Sequence, residues 1–168
     1  MSARNFGHSG LLMAGALAGA MVIFGAQAQE MNGPQPMLPT TGLTVVSGGV
    51  KHALKVELAE TQGEQEAGEM FRKSVPEGTG MLFDWHESKA VPMWMKNTIA
   101  PLDMWFLDDH GKITHIVEQA VPYSLAIIDS GGESRGVIEV MGGLSAKWNV
   151  NVGDKVEGVV WQPYPSSK

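Results

Sequence analysis

Alternating apolar and polar positions recur along most of the chain and predict strands. Residues 52, 54, 56 and 58 alternate with the more polar positions 51, 55 and 57, the period-two pattern of a strand with one covered face. Further apolar or alternating runs, separated by turn residues, lie at 80–85, 91–96, 102–107, 112–118, 137–141 and 155–161. Because Asp108-Asp109-His110-Gly111 joins two of these runs, we expect a β-hairpin there.

Two short segments carry helical patterns instead. Thr61 and Glu64 have the spacing of a capping box, and Ala67, Met70 and Phe71 then follow on one helical face. Residues 145–148 predict one more helical turn. Strands outnumber helices without regular alternation, so we predict a mainly β (α+β) fold. The expected architecture is a small, mostly antiparallel β-barrel-like domain with one or two short helices, not a doubly wound α/β fold.

The first 28 residues have the pattern of a secretory signal peptide. Arg4 supplies a positive start, residues 10–24 form an uncharged apolar run, and Ala26-Gln27-Ala28 fits a cleavage site. Fifteen residues fall short of the roughly 20 needed to span a bilayer, which favours cleavage over a retained anchor. We therefore expect a periplasmic protein with no membrane insertion after cleavage.

Composition divides the remaining chain into two parts. Residues 29–49 are rich in proline and glycine and predict a flexible lead-in. Within this segment, residues 43–46 have the pattern of a short strand. Residues 50–168 have the length of a single domain. The segment 120–136 is long for a loop in a compact domain, a length typical of functional or disordered loops.

Charge and cysteine content exclude several kinds of protein. The formal net charge is −6, and loss of the leader with Arg4 makes it −7. Nucleic acid and anionic lipid are therefore disfavoured as partners because both would be repelled. The absence of cysteine excludes disulfides, thiolate metal sites and cysteine nucleophiles. We expect a monomer without a cofactor.

Several short motifs together resemble the DUF192 family, also called UPF0127. They are Gly80-Met81-Leu82-Phe83, Trp94-Met95-Lys96-Asn97-Thr98, Pro101-Leu102-Asp103, the Gly111 turn, Glu139 in "VIEV" and Val152-Gly153-Asp154. The similarity spans roughly residues 54–160. It implies a compact, often exported β-barrel-like domain with a short helix, and it implies no established reaction. Glu69 departs from the pattern because the family usually has an apolar residue there, and we expect this glutamate to make the helix edge more polar.

Charged residues inside the apolar stretch 91–108 indicate the candidate site. A buried charge without a partner costs several kcal/mol or loses its charge. If the strands on either side of residues 97–101 pair in one antiparallel register, Lys96 lies opposite Asp103 and Trp94 opposite Trp105. A slip of one residue would instead set Lys96 opposite Leu102. We favour the first register because it pairs the charges.

This arrangement has two interpretations. Lys96 and Asp103 are either a structural pair that fixes strand register, or the polar patch of an aromatic-lined groove that binds a small polar ligand or a protein partner. The candidate ligand-binding residues are Trp94, Lys96, Asn97, Asp103, Trp105, Glu139 and Arg72, with Tyr123 and Arg135 as further rim residues. Glu139 lies within an apolar strand and is a family position by resemblance, although its side chain could equally face solvent.

The sequence also permits two alternative functions. A low-turnover enzyme, a hydrolase or a lyase, could use the same groove. A periplasmic Cu(I)-binding protein could use Met93 and Met95, although methionines more often fill irregular cores. His86, His110 and His115 form no spaced cluster, so we predict no metal site.

Overall fold

The computed structural model describes residues 31–158 of the 168-residue chain. The signal peptide predicted at residues 1–28 and the end of the last predicted strand lie outside the described residues. The elements in chain order are β1 (Thr40–Ser47), β2 (Val50–Ala59), α1 (Gln62–Ala67), β3 (Thr79–Ala90), β4 (Leu102–Leu107), β5 (Ile113–Ala120), β6 (Glu133–Met141), α2 (Leu144–Trp148) and β7 (Lys155–Glu157). In residues 31–158, none of the helices has the length and hydrophobicity needed to cross a membrane.

The seven strands form one sheet in the order β5-β4-β6-β3-β2-β1-β7. All neighbouring strands pair antiparallel except β2 and β3, which are parallel. The sheet curls until its two edges meet at one end, where Lys112 bridges Lys155 and the Val156 N–H donates to Gly111 O at 2.8 Å. The prediction of a mainly β, mostly antiparallel fold with short helices is thus confirmed, as is the β4–β5 hairpin.

Residues of β2 to β6 point into two apolar cores on opposite faces of the sheet, whereas β1 and β7 contribute to the first core alone. Along β4, Trp105 and Leu107 enter the first core, whereas Leu102, Met104 and Phe106 enter the second. The first core lies within the curl and includes residues of β1, β7 and α2. The second core is covered by the segment 91–95, which contributes Val91, Met93 and Met95.

The helix α1 begins as the sequence predicts and ends earlier. Glu64 N–H donates to Thr61 Oγ1 at 3.3 Å and Thr61 N–H to Glu64 Oε2 at 2.8 Å, which is the predicted capping box. The helix stops at Ala67, and Gly68 follows with a φ of 46°. A Cβ at Gly68 would lie 3.2 Å from the Phe83 ring, so glycine permits both the left-handed backbone and the close approach to β3.

One prediction about the chain around this core is corrected. Residues 91–96 do not pair with β4, because β4 is already flanked by β5 and β6. They cross the second core instead, and Met93 forms a bridge with Ile128 of the long loop. At the other end, the strand expected at residues 43–46 is present as part of the longer β1, so the sheet extends into the predicted lead-in.

Candidate functional site

The predicted pair of Lys96 and Asp103 is wrong. Asp103 is fully buried beside the first core, where its carboxylate accepts hydrogen bonds from Gln119 N–H at 2.8 Å, Gly143 N–H at 2.9 Å and Ser145 N–H at 2.8 Å. Lys96 is exposed, and within residues 31–158 it forms no ion pair with Asp103. Backbone N–H groups, not a lysine, therefore compensate the buried carboxylate.

The two tryptophans of the predicted groove are also apart. Trp105 is 0 % exposed in the first core and donates from Nε1 to Ser145 Oγ at 2.8 Å. Trp94 is 43 % exposed, and the Lys96 ammonium lies 5.4 Å from its ring centroid. Because Trp105 faces the interior of the curl, it forms no wall of a groove with Trp94.

Asn97 connects the segment 91–101 to the turn that follows α1. Its backbone has a φ of 54°, a left-handed conformation that asparagine tolerates better than most residues. The Asn97 carbonyl accepts the Phe71 N–H at 2.8 Å, and its side-chain nitrogen lies 3.9 Å from Met70 Sδ. Asn97 thereby fixes the turn that carries Glu69 and Arg72.

Four residues form what we call the carboxylate cluster: Glu57, Glu69, Glu139 and Arg72. Arg72 donates to both Glu57 carboxylate oxygens, with Nη2 2.9 Å from Oε2, and its Nε lies 3.3 Å from Glu69 Oε2. Glu57 accepts a further bond from Leu38 N–H at 2.8 Å. Glu57 and Glu69 are 5 % and 3 % exposed, so Glu69 does not make the helix edge polar as expected.

Glu139 approaches this cluster from β6. It is 4 % exposed and lies opposite Met104 of β4, on the second-core face, so it does not face solvent. The Glu69 backbone N–H donates to its carboxylate. The turn after α1 therefore brings Glu69 and Glu139 together although 70 positions separate them in the sequence.

Burial dominates the protonation of two of these carboxyl groups. Burial, together with a smaller contribution from the neighbouring Glu69 carboxyl group, raises the pKa of Glu139 to about 8. The hydrogen bond from the Glu69 backbone N–H lowers this pKa by a smaller amount. Burial likewise raises the pKa of Glu69 to about 7, against the attraction of Arg72. Burial alone would raise the pKa of Glu57 too, but bonds from Arg72 and Leu38 outweigh it and hold that pKa below its ordinary value.

Glu69 and Glu139 line a pocket of about 220 Å³, which we call the carboxylate pocket. Its aromatic walls are Phe83, Trp85 and Trp94, with Gln62 and Gln65 of α1 at one side. Glu69 Oε2 is buried, and beyond the ion-pair contact with Arg72 Nε at 3.3 Å it accepts no hydrogen bond from the described part of the chain. Glu69 also lines a second pocket of about 730 Å³ with Arg72, Phe71 and Val75.

The structure brings together only some of the predicted site residues. Trp94 and Glu139 line the carboxylate pocket, and Arg72 forms an ion pair with Glu69, which lines the same pocket. Asn97 accepts a hydrogen bond from the turn that carries Glu69. Asp103 and Trp105 lie on the opposite face of the sheet. The sequence prediction missed Glu69, whose signal was an acidic residue where the family resemblance led us to expect an apolar one.

In residues 31–158, no group of three or more histidine, aspartate or glutamate side chains could hold a metal ion. Met93 and Met95, the residues considered for Cu(I), both pack within the second core. Their burial agrees with a role in packing.

Comparisons with known proteins agree with the fold and the motifs. No curated protein matches the sequence. A crystal structure from Sinorhizobium meliloti 1021, described as a "putative transcription regulator", is 40% identical with a TM-score of 0.72 and covers 74% of this chain and 97% of that chain. A protein of unknown function from Novosphingobium aromaticivorans DSM 12444 is 34% identical with a TM-score of 0.70, covering 74% and 91%. The model of DUF192, described as "Uncharacterized ACR", matches residues 43–158, and the chain belongs to this family.

Proposed function

We propose that this protein binds a small polar ligand in the carboxylate pocket. The observation that carries the proposal is Glu69 Oε2, a buried carboxylate oxygen of a pocket-lining residue that has Arg72 Nε at 3.3 Å but accepts no hydrogen bond from the described residues. Buried polar groups are nearly always hydrogen-bonded, and exceptions call for an explanation such as a ligand. Aromatic walls with a few convergent polar groups are the usual composition of a small-molecule site.

The proposed site differs from the site expected from the sequence. The groove built from Lys96, Asp103 and Trp105 is replaced by a pocket built from Glu69, Glu139 and Trp94. We further propose that binding takes place in the periplasm. The secretory pattern of residues 1–28 supports this location.

A second candidate function is a slow hydrolase or lyase that uses the same pocket. The observation that favours it is the pair of carboxyl groups with raised pKa values, about 7 for Glu69 and about 8 for Glu139. Such groups hold a proton near neutral pH and could serve as general acid or base. Turnover of the bound ligand into a product would favour the enzyme over the binding protein.

The net charge of this chain disfavours regulation of transcription by DNA binding. The description of the Sinorhizobium protein as a "putative transcription regulator" concerns that protein. The formal net charge of this chain is −6, and sequence-independent attraction to DNA depends on cationic groups that neutralise phosphates.

A thermal-shift screen tests the proposed site. The purified protein is heated with sugars, carboxylic acids, amines, nucleotides and metal ions, and a ligand at 100 times its Kd adds about 2.7 kcal/mol of stability. We expect a hit that Trp94→Ala and Glu69→Gln each abolish and that Glu118→Gln, an exposed control, retains. No shift with any compound, or an equal shift in all variants, would overturn the proposal.

A further inference from the structure

We infer that the ligand of the carboxylate pocket is a small organic ammonium ion whose charge lies beside Glu69 and Glu139 and against the tryptophan rings. This inference rests on the proposed function and names its ligand class. It draws on the charge balance of the carboxylate cluster, the aromatic walls and the pocket volume.

The charge balance of the carboxylate cluster favours a cation. Three carboxyl groups surround one guanidinium, and Arg72 directs two of its nitrogens to Glu57. Glu69 receives only the more distant Nε at 3.3 Å, and Glu139 is bonded by a backbone N–H. Buried anions need compensation by a proton or a cation, and a ligand charge entering the pocket would supply it.

The aromatic walls favour an organic cation over a simple metal ion. Ammonium groups bind to the faces of tryptophan and phenylalanine rings, most strongly to tryptophan. Phe83 and Trp85 are stacked with centroids 6.1 Å apart, and the Trp94 ring already has the Lys96 ammonium 5.4 Å from its centroid. The Trp94 ring is therefore positioned to form a cation–π contact. Lys96 is exposed, so a ligand that displaces it leaves its charge in water.

The pocket volume favours a small ligand. At about 220 Å³ the pocket is smaller than the roughly 300–1,000 Å³ of sites for drug-sized molecules. A primary amine or a quaternary ammonium compound with a short chain fits this space. The side-chain nitrogens of Gln62 and Gln65 donate to Glu66 Oε1 at 2.8 Å and to Ala59 O at 3.1 Å, which leaves their amide oxygens to accept from the ligand's polar end.

Binding of a cation should release protons from the pocket. Glu69 and Glu139 hold protons near neutral pH because burial raises their pKa values to about 7 and about 8, and an adjacent cation would favour their ionised forms. The other charged groups of the elements packed around them are Glu57 of β2, Glu66 of α1, Arg72 and Lys96. Affinity should therefore rise with pH, by up to about tenfold per unit for each proton released.

Isothermal titration calorimetry with the purified protein tests this inference. The probes are choline and 1,4-diaminobutane, compared with 3,3-dimethyl-1-butanol, the neutral isostere of choline, and with acetate. We expect at least one cation to bind, its affinity to rise roughly tenfold or more from pH 6.5 to 8.5, and the heat to depend on buffer ionisation. Choline against diaminobutane distinguishes a quaternary from a primary ammonium ligand.

Variants make the result specific to the pocket. Glu69→Gln and Trp94→Ala should each weaken cation binding at least about tenfold, while Glu118→Gln retains it. Circular dichroism confirms that each variant is folded. Equal binding of the neutral isostere, or an affinity independent of pH, would overturn the inference. Binding of a neutral or anionic ligand that requires Trp94 would support the proposed function and overturn the inference of an ammonium ligand. The absence of binding by any compound would overturn both the proposed function and the inference.

Discussion

Asp103 and Glu139 lie on adjacent strands and are almost equally buried, but their surroundings differ completely. Asp103 of β4 is opposite Val140, and Glu139 of β6 is opposite Met104, so their side chains emerge on opposite faces of the sheet. Asp103 accepts three backbone N–H groups. Glu139 accepts one from Glu69 and has that residue's carboxyl group beside it. Burial alone thus does not separate a structural carboxylate from a candidate functional one; the supply of hydrogen-bond donors does.

The donors of Asp103 explain its structural role. Gly143 and Ser145 are at the start of α2, where backbone N–H groups have no partner within the helix, and the carboxylate accepts them together with Gln119 N–H of β5. One side chain therefore fastens α2 and β5 to β4. The carboxylate cluster on the other face has more acceptors than donors, and it opens onto a pocket.

The largest expected effect comes from removing the carboxylate of Asp103. Asp103→Ala leaves three backbone N–H groups without their acceptor in a buried place, and we expect a loss of about 3–5 kcal/mol in the free energy of unfolding. Urea denaturation followed by circular dichroism measures this loss. Asp103→Asn keeps one acceptor oxygen and should cost less. A loss below about 1 kcal/mol in Asp103→Ala would contradict the structural role.

The second largest effect is expected at Glu139, where removal of the charge should stabilise the protein at high pH, the opposite of the effect at Asp103. Glu139→Gln has nearly the same shape and retains an oxygen for the Glu69 N–H. We expect the variant to be more stable than the wild type by about 2–4 kcal/mol at pH 8.5, and nearly equal in stability at pH 5. Urea denaturation at the two pH values measures the difference.

The sign of this effect follows from the raised pKa values. Folding raises the pKa of Glu69 from 4.5 to about 7 and that of Glu139 from 4.5 to about 8. Between these limits the folded state holds more protons than the unfolded state, so wild-type stability falls as pH rises. The stabilising contribution is complete below about pH 4.5 and is lost as pH passes about 7 and 8. A wild-type stability that rises from pH 5 to 8.5, with no change in Glu139→Gln, would contradict this assignment.

Much of the fold could be predicted because its signals are local. The capping box at Thr61 and the hairpin between β4 and β5 depend on residues within a few positions of each other. Period-two alternation also locates most strands. The pairing of residues 91–96 could not be predicted in this way, because their antiparallel partner Ile128 lies in the long loop and β4 was a nearer candidate.

The candidate site depends on tertiary contacts that a single sequence does not reveal. The Lys96–Asp103 hypothesis assumed that a buried carboxylate needs a cationic side chain, whereas Asp103 uses N–H groups from two distant segments. Glu139 was recognised as unusual within an apolar strand, but its face depended on strand register. Glu69 would be expected to be exposed beside a short helix, but it is buried in the turn between Gly68 and Phe71, both of which have a positive φ.

The smallest expected effect concerns the attachment of that turn. Asn97→Ala places alanine at a φ of 54°, which should cost about 1 kcal/mol in the free energy of unfolding. The strain should loosen the hydrogen bond between Asn97 O and Phe71 N–H beside the carboxylate cluster. Hydrogen exchange should therefore be faster at the Phe71 amide, while the Gln119 amide, bonded to Asp103 on the other face, keeps its protection.

Asn97→Gly separates the backbone of this position from its side chain. Glycine adopts a positive φ without strain, so it should recover most of the protection at Phe71 even though the side-chain contact with Met70 is lost. Equal acceleration at Phe71 in both variants would instead assign the effect to the asparagine side chain. If hydrogen exchange accelerated as much at Gln119 as at Phe71, the two faces of the sheet would open together. The carboxylate cluster would then not be the separate, locally adjustable region that its shortage of hydrogen-bond donors implies.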